Sequence, residues 1–220
     1  PTARENGGKT TMKTFATLRS ILLSGCILLA VPGLHAQPVA GSAAPKPVGR
    51  VVAVRGKVEA VSPTNVRRAL AIRESIFEGD TVNTGARGRV QISFSDGTIV
   101  HLGRNTEMLI DEYEYSAEKS SGKMVTHVKS GVFRVMGGAI TKIAPDNFRT
   151  VTPTATIGIR GSFYMGSVNQ QVLKVVFLGG RGIWVRNEHG GEDIETPGYG
   201  TSVRPGERPA APRRYAVQEL

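Results

Sequence analysis

The chain has 220 residues, a formal net charge of +10 and a single cysteine. That length holds one large domain or two small ones, and one cysteine excludes an intrachain disulfide framework. The basic balance is compatible with nucleic acid, an anionic membrane surface or an acidic polymer. Adjacent basic residues occur only at Arg67-Arg68 and Arg213-Arg214, with no basic stripe interleaved with aromatics, so nucleic acid is not an expected partner.

Pro1 to Thr11 is polar and featureless, and Met12 opens a targeting pattern that makes it the expected start. Lys13 and Arg19 form a basic region. Ser20 to Leu34 is apolar with a break at Pro32-Gly33, and Leu34-His35-Ala36 is a cleavage site ending in a small residue. Residues 1–36 therefore read as a leader with a signal peptide. The apolar run is shorter than the ~20 residues of a transmembrane helix, so no span is expected in the mature chain. Leu23-Ser24-Gly25-Cys26 offers an alternative, a lipobox in which Cys26 is lipidated; against it, apolar sequence continues past the cysteine. Both readings take the domain out of the cytoplasm, to the periplasm or beyond. Cleavage after Ala36 leaves no cysteine and no thiol chemistry.

Residues 37–47 are rich in Ala and Pro and read as a linker. From Val48 to Val203 short β-branched runs alternate with Gly, Asp and Asn, for example Val51–Val54, Val90–Phe94, Ile99–Leu102, Val132–Met136 and Val172–Leu178. The pattern predicts one all-β domain of short strands, an irregular β-sandwich or a solenoid-like fold. Arg67 to Ile76 departs from it: its residues are good helix formers, and propensity alone places a short helix there, directly before Gly79-Asp80.

The hairpin around Asp96-Gly97 has two candidate registers. A two-residue loop would put Val100 and Leu102 on the opposite face from Val90, Ile92 and Phe94. A three-residue loop, Ser95-Asp96-Gly97, pairs Ile92 with Val100, Val90 with Leu102 and Gln91 with His101, and sorts apolar from polar. It requires a left-handed Gly97 and a bulge. Residues 204–220 carry three prolines and four arginines and read as a mostly disordered basic tail.

Several phrases then resemble the FecR domain. Gly79-Asp80-Thr81-Val82-Asn83-Thr84-Gly85 is similar to its "GD-x-V-x-TG" segment, followed by Gly88 to Thr98 with Asp96-Gly97. Thr152-Pro153-Thr154-Ala155-Thr156-Ile157-Gly158-Ile159-Arg160-Gly161-Ser162 resembles "TP-x-A-x-x-G-[VI]-RGT", with serine in the last place, and Gly182-Ile183-Trp184-Val185 its closing strand. The resemblance covers about Val48 to Val203. It implies an envelope β domain that binds another protein or a polymer. FecR-type regulators relay a signal from an outer-membrane receptor to a cytoplasmic sigma factor through a transmembrane helix. A cleavable-looking leader stands in that place here, so the expectation is the envelope module without the relay.

The motif residues read as structural first and partner-binding second. Gly79, Gly85, Gly97, Gly158 and Gly161 suit turns with positive φ or close backbone approach. Asp80 and Asp96 suit bonds to nearby amides, Pro153 an edge or turn, and Thr84 and Thr152 belong to the same phrases. Arg160 lies between two glycines, where its five donors would satisfy turn carbonyls or, alternatively, hold a ligand. His101, His127 and His189 lack zinc-type spacing, and no nucleophile elbow, phosphate loop or dinucleotide fingerprint is complete. Asp111, Glu112 and Glu114 form an acidic group that reads as a solvated face. No enzyme, cofactor or metal is expected. A partner in the envelope is the first hypothesis. Peptidoglycan or surface glycan, bound by a structural or adhesive protein with Trp184 in its groove, is the second.

Overall fold

The computed structural model describes residues 46–216 and residue 219. The leader with Met12 and Cys26, and most of the linker, lie outside the described residues. Within them the strands are β1 (Pro47–Arg55), β2 (Val58–Val61), β3 (Arg67–Ala69), β4 (Ser75–Phe77), β5 (Thr81–Thr84), β6 (Arg89–Phe94), β7 (Ile99–Leu102) and β8 (Glu107–Ser116). The long β9 (Ser121–Met136) is followed by the one-turn α1 (Ile140–Ile143). Then come β10 (Phe148–Val151), β11 (Thr156–Ile159), β12 (Phe163–Asn169), β13 (Val172–Gly179), β14 (Ile183–Asn187), β15 (Gly190–Ile194), β16 (Tyr199–Val203) and β17 (Arg213–Arg214). The fold is all-β, as the β-branched alternation requires.

The strands form two sheets that share β9. Sheet A runs β4-β1-β6-β7-β9-β12-β13-β16-β17. Sheet B runs β3-β2-β5-β8-β9-β10-β11-β14-β15. All pairings are antiparallel except β9 with β10. Ser121 to Ser130 of β9 pair in sheet B, and Gly131 to Met136 pair in sheet A. The crossing is made at Gly131, whose φ is +98°. After β9 the chain lays alternate hairpins on the two sheets, β10-β11 on B, β12-β13 on A, β14-β15 on B and β16-β17 on A. This winding is the solenoid-like element of the fold.

Inward residues of both sheets meet in one core. Ile92, Val100, Phe133 and Tyr164 of sheet A and Met108, Ile110, Phe148, Ile157 and Val185 of sheet B are nearly inaccessible. Phe94 of sheet A stacks on Tyr113 of sheet B at 5.4 Å between ring centres. The Tyr164 hydroxyl donates to Thr150 Oγ1 at 2.7 Å across the same core, and burial raises its pKa.

The β6-β7 hairpin has the expected register: Val90, Gln91 and Ile92 oppose Leu102, His101 and Val100. Gly97 has φ +83°, and Phe94 N donates to Thr98 O at 2.9 Å, closing a loop of Ser95-Asp96-Gly97. Two other expectations are corrected. Arg67 to Ile76 is not a helix but β3, a turn through Arg73 at φ +75°, and β4. Its ends pair with β2 and β1, and burial of Leu70 and Ile76 outweighs local helix propensity. Nor is 204–216 a disordered tail. Pro209 and Tyr215 are buried, Ala210 N donates to Ser202 O at 3.0 Å, and β17 pairs with Tyr199 and Gly200. The chain donates its amides to the carbonyls of the sheet edge where composition alone promised nothing to bury.

Candidate functional site

The structure disperses the motif residues as fasteners between strands. Gly79, Gly97 and Gly161 have positive φ. Asp80, 1% exposed, accepts from Phe77 N at 2.8 Å and from Arg68 Nη1 at 2.9 Å, with Arg68 Nη2 on its other oxygen. This pairing raises the Arg68 pKa. Arg68→Met therefore strands a buried carboxylate. It should cost about 2–3 kcal/mol in urea unfolding, discounted because Arg68 itself is partly exposed, and adding Asp80→Leu should restore most of the loss.

Thr84 Oγ1 donates to Gly103 O at 2.6 Å and accepts from Thr106 N at 2.8 Å. Thr152 closes the β10-β11 turn on Ala155, with Pro153 and Thr154 at its centre. Gly85 has neither positive φ nor a close approach, since a Cβ there would lie 3.5 Å from Lys57. Its neighbour Gly88 is the crowded one, where a Cβ would meet Lys57 O at 2.5 Å. Gly158 lies within β11, not at a turn, and the Trp184 indole covers it so closely that a Cβ would meet the ring at 1.9 Å. Arg160 does not cap turn carbonyls. Its half-exposed guanidinium faces Asp193 and Glu195, each at 3.8 Å, while its own carbonyl accepts from Ser162 and Arg181.

None of these residues builds a reaction centre. Among the described residues no group of three or more His, Cys, Asp and Glu could hold a metal. The acidic group on β8 is occupied by neighbours on β9: Asp111 with His127 at 3.0 Å and Glu112 with Lys123 at 2.5 Å.

A different surface stands out by its charge. The ladder row Gln91–His101–Arg134–Met165 crosses β6, β7, β9 and β12 on the outer face of sheet A. Arg55 of β1 lies directly opposite Arg89 of β6 at its end. Together they frame a groove of about 340 Å³ whose lining also includes Ala53, Val54, Val132 and Met165, with the inward-facing Leu102 and Phe133 behind it. Among the described residues no ion pair engages Arg50, Arg55, Arg89 or Arg134. On sheet B, by contrast, Arg67, Lys123, Lys129, Arg160 and Arg186 all face carboxylates. Arg134 lies over the Phe163 ring at 5.7 Å, and its Nε is buried with no acceptor. Burial, and secondly the Arg134 charge, lower the His101 pKa below its ordinary 6.5. The unfolded chain thus binds this proton more readily than the native one. Stability should fall as pH drops from about 6.5 toward the folded value, and thermal melts of His101→Gln should show a smaller decline over that window.

Sequence reasoning passed over Arg55, Arg89 and Arg134, since no phrase marks them and four strands distant in sequence bring them together. The available signal was the Gln91–His101 pairing, which puts Arg89 and Gln91 on one outer face.

A second depression, of about 400 Å³, lies on sheet B among Arg149, Thr156, Arg160, Trp184 and Arg186. Its Trp184 rests on Gly158, with the Arg186 guanidinium 4.9 Å from the ring centre.

Comparison with known proteins now adds to this geometry. Residues 80–181 match the family model described as FecR protein. A crystal structure of a candidate anti-sigma factor from Parabacteroides distasonis aligns with a TM-score of 0.50 and 14% identity, covering 63% of this chain and 61% of that one. The chain thus spans less than two thirds of that relative, and the likeness is one of fold. A second structure of such a factor from the same organism aligns at 0.48 and 15% over the same shares. A cell surface anchoring domain shares 35% identity over 28% of this chain and 82% of its own, with a TM-score of 0.28. No curated protein matches the sequence. The phrases at Asp80 and Gly158 and the family match agree over one stretch: residues 80–181 of this chain carry a FecR domain.

Proposed function

We propose that this protein is a non-catalytic module of the bacterial envelope that binds another protein, in a signalling or scaffolding role, through the outer face of sheet A. The observation that carries the reading is the one-signed charge of that face. Arg50, Arg55, Arg89 and Arg134 have no carboxylate partners among the described residues, while the cations of sheet B are largely neutralised within the fold. A face left electrostatically open favours an acidic partner and steers its approach. The FecR match supports a regulatory role, and the leader-like Lys13 to Ala36 supports the periplasm. The Parabacteroides distasonis proteins with this fold are described as anti-sigma factors; the reading here is the envelope module without the relay.

The test is in-cell crosslinking of the tagged full chain with a photoreactive residue at Gln91 on sheet A or at Glu192 on sheet B. One envelope protein captured from Gln91 and not from Glu192 supports the reading. Recovery of nothing from either position defeats it. The sheet B depression favours a second reading, glycan binding on Trp184 between arginines. Recovery with cell-wall glycan that is lost in Trp184→Ala would put that reading first.

A further inference from the structure

The groove carries information about what fills it, on the premise that sheet A is the binding face. Its volume, about 340 Å³, is at the small end of ligand sites, room for a few side chains and not for a folded surface. Ala53, Val54, Val132 and Met165 make part of its lining apolar, so part of the occupant is apolar. Its polar groups are donors and cations. Arg134 presents a guanidinium held over the Phe163 ring, and because its Nε is buried the Nη groups are the donors an occupant would meet. Such a donor is matched by a carboxylate, which takes an arginine through two parallel hydrogen bonds.

The rim makes the same demand. Arg55 and Arg89 are directly opposed in the β1–β6 ladder, and like charges so placed oppose the pairing. The next row sets His101 against Arg134. The domain therefore keeps one cross-strand pair that repels, on β1 and β6, and a second that would repel on protonation of His101, on β7 and β9, around the same groove. An anionic occupant relieves both. Glycan fits poorly, because the one aromatic residue of the lining, Phe133, is buried in the core and offers no ring face to a sugar.

We propose that the groove seats an extended acidic–apolar segment of a partner protein, one carboxylate docking on Arg134 and a neighbouring apolar side chain packing beside Val132 and Met165. Arg55 and Arg89 set the preference for negative charge around that anchor, and Gln91 and His101 offer further hydrogen bonds.

The experiment uses the full chain and fluorescein-labelled octapeptides of alternating glutamate and leucine, with glutamine replacing glutamate in one control and serine replacing leucine in the other. Binding is read by fluorescence anisotropy. The glutamate–leucine peptide should bind saturably, and each control should bind at least about tenfold more weakly, a factor in the range of one charge-assisted contact. Arg134→Gln should weaken the parent peptide about tenfold and leave the glutamine control unchanged, while Arg160→Gln on sheet B should change neither. Unaltered melting temperatures for both variants exclude a folding defect, and Arg134→Lys serves in its place if Arg134→Gln melts early. The proposal is overturned if the glutamine peptide binds as well as the parent, if Arg160→Gln weakens binding as much as Arg134→Gln, or if inorganic triphosphate or anionic phospholipid vesicles bind while the peptide does not. No peptide binding, together with a protein still captured through Gln91, overturns this chemistry alone. Failure of both experiments overturns the binding face as well.

Discussion

Asp96→Ala should destabilise the protein by about 3–5 kcal/mol, the cost of leaving several buried donors without an acceptor. Asp96 is 6% exposed. One carboxylate oxygen accepts from Thr98 N at 3.0 Å and the Tyr113 hydroxyl at 3.1 Å; the other accepts from Thr98 Oγ1 at 2.7 Å and Ile140 N at 3.2 Å. Its backbone carbonyl takes Ala139 N at 2.8 Å. A single side chain thereby ties the β6-β7 loop to β8 and to α1, and no cation lies among these partners. Burial, followed by the nearby Asp96 charge, drives the Tyr113 pKa up, so the tyrosine stays a donor. Tyr113→Phe and Thr98→Val each remove one partner and should cost about 1–2 kcal/mol. Guanidinium unfolding of the three variants checks the ranking, and an Asp96→Ala variant within about 1 kcal/mol of the parent would sink this account of the network.

The second large effect belongs to the crossing in β9. Gly131→Ala should cost about 3 kcal/mol or more, from left-handed backbone strain and overpacking together. A Cβ at Gly131 would stand 2.3 Å from Thr106 Cα and Oγ1. Thr106 cannot retreat, since its Oγ1 accepts from Val132 N at 3.0 Å and donates toward the Val132 and Gly103 carbonyls. Gly97 supplies the control. Its φ of +83° is similar, but a Cβ there meets nothing within 4 Å, so Gly97→Ala should cost only about 1 kcal/mol, the strain alone. Equal losses in the two variants would show that crowding at Thr106 contributes nothing.

What the sequence made legible was the part fixed by period-two alternation. Val90, Ile92, Phe94, Val100 and Leu102 admit one register once one face is buried, and Gly97 supplies the turn. The stretch from Arg67 to Ile76 misled because helix propensity is local, while the partners of Arg68 and Ile76 lie in Asp80 and β1. The 204–216 segment misled because Pro209 and Tyr215 are few anchors in a polar stretch. The motif residues were legible as structure, though Gly85 and Arg160 do other work than their phrases implied. The groove was not legible, because Arg55, Arg89 and Arg134 are three ordinary surface cations until strand order sets them side by side.

The shared strand has a dynamic consequence. Since β9 contributes one stretch of hydrogen bonds to sheet B and the next to sheet A, neither layer can detach without breaking the backbone ladder of the other. Amide hydrogen exchange in Val125 to Val135 should therefore report global opening only, with the slowest protons on both sides of Gly131 exchanging at a common free energy. The terminal hairpins, held on one side, are free to open at lower cost. A module built this way yields at its edges and holds firm at its centre, so a pull at either end is met by one cooperative block.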